Sequence, residues 1–113
     1  MLLKLRNFPE AQQEFLSAVK LQPNLGDAYA GLAFAANENQ AYPLVIQALD
    51  ARSRLRPETP ITFFLRATAY DHLRDYKTAS EYYHRFLDVA NGRYPDQEWQ
   101  ARHRLVAVEP KKH

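Results

Sequence analysis

The sequence predicts an all-α protein built from antiparallel helix pairs repeated along the chain. Three observations predict it. Residue types recur at one interval: Phe8, Tyr42 and Tyr76 are 34 residues apart, as are Ala11, Val45 and Ala79, and Leu21, Leu55 and Val89. Pro9 and Pro43 keep that spacing, and so do Pro23 and Pro57. A fixed period of a few tens of residues is the signature of a repeat array. The 113 residues include only three glycines, and the seven prolines stand mostly at segment ends, which suits helices better than a sheet. Helix start and stop signals fall where the period needs them, as at Thr59-Pro60 and Asn91-Gly92.

Taken in order, residues 2–8 (LLKLRNF) crowd apolar side chains into a stretch too short to be a stable helix alone. LRNF at 5–8 repeats the sense of LRDY at 73–76, so the stretch reads as the tail of a first helix that begins upstream. On this reading the chain is the C-terminal part of a longer array. A helix over 9–21 follows, with Pro9 in its first turn and Ala11, Phe15, Ala18 and Val19 on its packing face. Pro23 stops it, because proline cannot continue a helix and restricts the residue before it. Helices are expected over 26–38 and 42–56, the second with Pro43 in its first turn and Pro57 beyond its end. Thr59 reads as the N-cap, and Pro60 as the first residue, of a helix over 60–73. The next covers 77–90 and ends at Asn91-Gly92, a left-handed stop. A last helix over 96–108, capped by Asp96, lies two residues out of register, since Trp99 falls where residue 97 would be expected. Its Trp99, Leu105 and Val106 are expected to cover the array end, which otherwise exposes apolar surface.

Each column has a physical reason. Small residues at Ala11, Ala33, Ala67 and Ala79 let two helices approach closely. Phe8, Tyr42 and Tyr76 plug the turn end of each hairpin, and Leu21, Leu55 and Val89 close the second helix over the next unit. Phe86 is bulky where Ala18 is small, and Ala101 is expected to receive it, keeping core volume constant. Arg52 and Arg66 fall on columns that are small or apolar elsewhere. Either the helices are rotated so that the arginine stems reach water, the reading adopted here, or the pair lines a charged pocket between repeats.

A unit of this length, with Tyr29, Leu32 and Ala33, or Phe63, Ala67 and Tyr70, on its first helix resembles the tetratricopeptide repeat. AQQEF (Ala11, Phe15) and ASEYY (Ala79, Tyr83) match the second-helix spacing, and LQP and LRP supply the closing Leu and Pro. The resemblance covers about residues 2–91. It implies a right-handed α–α superhelix of antiparallel pairs, a solenoid forming one domain over residues 1–113. Its parts would be a partial repeat (1–25), two full repeats (26–59 and 60–93), a closing helix (94–108) and a tail (109–113).

The bulk numbers exclude several function classes. Fifteen basic and thirteen acidic residues give a net charge of +2, mixed along the chain, so no dedicated nucleic-acid face is expected. RSRLR at 52–56 spreads its arginines over two sides of a helix end, where they suit the helix dipole. Without cysteine there are no disulfides and no thiolate metal sites. No apolar run approaches the roughly 20 residues of a membrane span. Membrane insertion is therefore not expected, and the start lacks a signal-peptide core; the location stays open, with the cytoplasm slightly favoured, since an exported parent would carry its signal elsewhere.

No catalytic set is readable. The histidines at 72, 84, 103 and 113 form no i, i+4 pair, and the serines at 17, 53 and 80 lack a glycine-rich elbow. His72 and Asp71, being adjacent on a helix, point about 100° apart and do not make a base with its orienter. Tyr82, Tyr83 and Phe86 fall at core spacing rather than on a base-stacking platform. The expectation is a protein that is not an enzyme and uses no cofactor or metal.

What the resemblance implies instead is a concave groove lined by first helices, where a partner peptide or helix binds. The inward positions are Asp27, Ala30, Phe34 and Asn37; Ile61, Phe64, Thr68 and Asp71; and, on the closing helix, Gln97, Gln100, Arg104 and Ala107. Phe34 and Phe64 would form an apolar pair rimmed by polar groups, unless the closing helix buries them. Ala30, Phe34, Phe64 and Thr68 occupy the places where such proteins carry a carboxylate clamp for the acidic tails of heat-shock chaperones, with Arg104 alone compatible. That role is not expected. The functional expectation is a protein–protein interaction scaffold; the alternative is a structural or regulatory segment of a larger multidomain protein with no ligand of its own. Leu2, Leu3, Leu5, Phe15 and Val19, left without a complete partner helix, are expected to support a homodimer through the open N-terminal repeat.

Overall fold

The structure, a computed structural model, describes residues 7–109. Leu2, Leu3 and Leu5 lie outside the described residues. Among the described residues there are six helices and no strand: α1 (Phe8–Leu21), α2 (Gly26–Glu38), α3 (Tyr42–Ser53), α4 (Pro60–His72), α5 (Tyr76–Ala90) and α6 (Pro95–Val108). The chain divides into two compact units, one ending at Pro57 and the other beginning at Glu58. The sequence alone suggests one domain with a repeat boundary two residues later.

In the N-terminal unit α2 packs against both α1 and α3. Its core is built from small residues, Ala28, Ala33, Ala35, Ala36 and Ala48, around Leu32, Val45 and Leu49. Close approach of α1 to α2 rests on a glycine. A Cβ at Gly31 would stand 2.4 Å from two ring atoms of Phe15, so only hydrogen fits beneath that ring. Phe15, expected on an open face, therefore packs inside its own unit.

In the C-terminal unit α5 packs against α4 and α6, and the core joins Ala67, Ala79, Tyr83, Phe86, Ala90, Ala101 and Leu105. Phe86 and Ala101 are both fully buried in this cluster, the large and small partners that volume matching asks for. Phe86 also meets Phe64 at 5.1 Å and Tyr94 at 6.2 Å between ring centroids. Burying a side chain of this size is worth roughly 1.5–3 kcal/mol.

The two hairpin turns are the same turn, bond for bond. After α2, the amides of Asn39, Gln40 and Ala41 donate to the carbonyls of Ala35, Asn37 and Ala36. After α4, the amides of Leu73, Arg74 and Asp75 donate to Ala69, Asp71 and Tyr70, each partner displaced by the 34-residue period. Gln40 and Arg74 both take the left-handed conformation, with φ of 62° and 66°. The pattern is a Schellman stop, which lets the chain reverse while pairing the last helical carbonyls. Phe8, Tyr42 and Tyr76 each open the helix that follows. The residues before them, Asn7, Ala41 and Asp75, share nearly one backbone geometry, and the side chains of Asn7 and Asp75 cap by accepting from the amides of Glu10 and Thr78.

Thr59 caps α4 as expected, exchanging hydrogen bonds with Thr62. Asn91 and Gly92 stop α5 with φ of 54° and 80°. Four other expectations need correction. Asp96 does not cap α6: the N-cap position falls on Tyr94, whose side chain makes no cap bond, because Pro95 takes the first helical position and its missing amide needs no partner. The buried Glu98 reaches back to accept from the amides of Tyr94 (2.9 Å) and Gly92 (3.2 Å). Trp99 and Val106 do not cover the core: they are 64% and 79% exposed, while Glu98, Ala101 and Leu105 are buried. The buried line steps by three and four residues, so 99 and 106 fall about 100° around the helix from it. Leu21, Leu55 and Val89 are exposed rather than closing their helices over a neighbour. Arg66 does not reach water; only 3% exposed, it is ion-paired with Glu58 at 3.0 Å and lies 5.6 Å from the Tyr82 ring centroid. A buried guanidinium is tolerated only with such partners. Arg52, half-buried, donates to the Pro57 carbonyl at 2.9 Å.

Candidate functional site

The C-terminal unit holds a cleft of about 460 Å³ bounded by α4, the turn after it, α5 and α6. Helical spacing builds its walls. Phe64, Thr68, Asp71 and His72 share one face of α4, and Trp99, Gln100, His103 and Arg104 share one face of α6. Arg74 enters from the left-handed turn position, and Tyr76 and Tyr83 from α5.

At its centre the Asp71 carboxylate ties three helices together. Arg104 donates from Nε to Oδ2 and from Nη2 to Oδ1, both at 2.7 Å, a bidentate pair. Tyr83 donates its hydroxyl to Oδ2 at 2.8 Å. The Asp71 side chain is nearly buried and that of Arg104 is half exposed, so the pair presents its cationic end outward. Burial pushes the Asp71 carboxyl up, but the hydrogen bonds from Arg104 and Tyr83 and the Arg104 charge more than reverse this and hold it below the usual carboxylate range. Burial, then the bond to Asp71, pushes the Tyr83 phenol well up. The Asp71 hydrogen bond raises the Arg104 guanidinium further, so the central pair stays ionised at neutral pH.

Around this centre lie ring faces. Trp99 stacks on His103 with centroids 5.0 Å apart and planes 9° from parallel, and its own exposure leaves much of the indole accessible. Phe64 is half-buried, edge-on to Tyr83 at 6.3 Å, and shows only part of its ring to the cleft. His72 donates from Nδ1 to the Thr68 carbonyl at 2.8 Å. Ring faces beside a few oriented polar groups, in a cleft of this size, are the ordinary make-up of a ligand pocket. Among the described residues no three His, Asp or Glu side chains converge as metal ligands, and no helix is long and apolar enough to cross a membrane.

Of the inward positions read from the sequence, the cleft brings together Phe64, Thr68, Asp71, Gln100 and Arg104. Ile61 is exposed and Gln97 half-buried, and neither lines it; Ala107 is exposed on the last turns of α6. In the N-terminal unit Asp27 is exposed and 4.0 Å from Arg56, Ala30 and Asn37 are half-buried, and Phe34 is 53% exposed with its ring 5.9 Å from that of Phe8. Val19 is half-buried on α1. Sequence reasoning did not place His72, Arg74, Tyr76, Tyr83, Trp99 or His103 in a groove. The four-residue spacing of Trp99 and His103 was a usable signal, hidden by assigning Trp99 to the core. Comparison with known protein families and with curated proteins gives no match.

Proposed function

We propose that the chain is a protein-interaction scaffold of the tetratricopeptide type, a right-handed solenoid that binds a partner peptide or helix, with the C-terminal cleft as a principal contact. The observation that carries this is the convergence of five inward positions on one cleft beside an exposed tryptophan. The identical turns at the 34-residue period support the repeat assignment. Phe34 offers a separate exposed aromatic contact in the N-terminal unit.

Selection of peptides from a displayed random library on the immobilised chain tests the proposal. Selected peptides should change the emission of Trp99, the one tryptophan present, and their calorimetric affinity should fall on Trp99→Ala. Selection yielding no calorimetric binder, or binders indifferent to both Trp99→Ala and Phe34→Ala, would favour a structural segment without a ligand. Self-association through the N-terminal unit is a second proposal, supported by α1, which has no fully buried residue and leaves Leu21 82% exposed. A monomeric mass by light scattering at every concentration would end it.

A further inference from the structure

We infer that the C-terminal cleft recognises an acidic segment within a partner chain, one that sets a large apolar or aromatic side chain against Trp99 and flanking carboxylates against Arg74 and Arg104. The inference rests on the peptide-binding reading above and gives the ligand its chemistry.

Charge complementarity selects the occupant. The charged groups lining the cleft are two arginines, Arg74 and Arg104, against one carboxylate, Asp71. That carboxylate is already spent: both oxygens accept from Arg104, and one also from Tyr83. A cationic ligand would meet no unused anion here. An anionic one meets Arg104 with its side-on edge fixed by Asp71 and its other edge, Nη1 and the second Nη2 hydrogen, still to be paired. Such a guanidinium is oriented before the ligand arrives, so less side-chain entropy is lost on binding.

Arg74 adds a second cation from a backbone position that ordinarily favours glycine. The apolar half of the ligand is set by the indole, whose stacking on His103 fixes its plane. Aromatic anchors beside charged rims are where interfaces concentrate binding energy.

The site fits an interior segment better than a chain terminus. A terminal carboxylate is usually captured by converging backbone amides. The nearest helix start, that of α5, has its Thr78 amide taken by Asp75. Nucleic acid fits less well, because a phosphate backbone needs a row of cations and the cleft lining offers two arginines, Arg74 and Arg104.

The test uses the full chain and three acetylated, amidated seven-residue peptides. One has a central phenylalanine flanked by aspartates, one has asparagines in place of the aspartates, and one has alanine in place of the phenylalanine. Trp99 emission and calorimetry should show saturable binding of the first and about tenfold or greater weakening for each of the others. Affinity for the first should fall with added salt, and Arg74→Glu, an exposed change, should weaken it while circular dichroism stays unchanged. Equal binding of the aspartate and asparagine peptides overturns the inference and leaves the peptide-binding reading standing. Neutral peptides from the displayed library that outcompete the acidic one do the same. Saturable binding of oligothymidylate with no response to any peptide overturns both.

Discussion

The left-handed turn residues offer the sharpest test of how the two matching hairpin turns are built. Gln40 and Arg74 hold φ above +60° at the stop of a helix, a conformation in which a side chain costs about 1–2 kcal/mol. Glycine removes that cost, but its freer unfolded chain returns roughly 0.5–1 kcal/mol. The net expectation for Gln40→Gly is a stabilisation of about 0.5–1 kcal/mol, or roughly 2–6 °C in Tm for a chain of this size. Gln40 is exposed, so little else is lost. Urea unfolding by circular dichroism should give a higher midpoint at unchanged slope. Gln40→Ala is the control, because alanine removes the same side chain and keeps the steric conflict. If Gln40→Gly unfolds no later than Gln40→Ala, the turn stores no strain and the reasoning is wrong. Arg74→Gly should stabilise similarly while weakening acidic-peptide binding, which would set the same position's stability against its use in the cleft.

Three further outcomes are expected. Ala41→Asp puts a capping side chain where Asn7 and Asp75 already cap in the same backbone geometry, and thermal unfolding should register a gain of about 1 kcal/mol. Gly31→Ala should cost about 1–3 kcal/mol by the same measurement, because the added methyl must displace the Phe15 ring. Asp71 titrates lower in the folded chain than unfolded, so its contribution to stability is complete above its unfolded pKa of about 4 and is lost as pH falls through the folded value. Tyr83, raised in the folded chain, contributes fully below about pH 10 and loses its contribution above it. Urea midpoints measured against pH should therefore fall more steeply at the acid end for the wild type than for Asp71→Asn.

What could be read from the sequence followed from local chemistry and from the period. Thr59-Pro60 and Asn91-Gly92 carry their own backbone preferences, so the ends of α4 and α5 were legible without tertiary information. The period placed Phe8, Tyr42 and Tyr76 at corresponding points, and all three open helices. Counting inward positions named Asp71 and Arg104 separately, and the structure shows that they meet. The rotation of α6 was not legible. Its apolar residues Trp99, Leu105 and Val106 suggested one face, but burial followed Glu98, Ala101 and Leu105, because a carboxylate that satisfies two amides can be buried and an indole can stay outside. Arg66 misled for a similar reason. Its acceptor, Glu58, precedes the helix, and only the geometry of the chain entering α4 brings the two together.

On the proposed reading, the Asp71 centre would join stability to recognition, and this limits which residues could tune the cleft. Its carboxylate accepts from α5 through Tyr83 and from α6 through Arg104 while belonging to α4 itself. Removing either donor leaves a nearly buried anion short of partners, a cost of order 1–3 kcal/mol or more before any ligand is considered. Changes at Arg104 therefore cannot alter affinity without also loosening the three helices that shape the cleft. Arg74, Trp99 and His103 are exposed and carry no such constraint. Selectivity for one acidic segment over another is thus expected, on that reading, to reside in these peripheral side chains, with the Asp71–Arg104 pair supplying an oriented donor edge and a rigid floor.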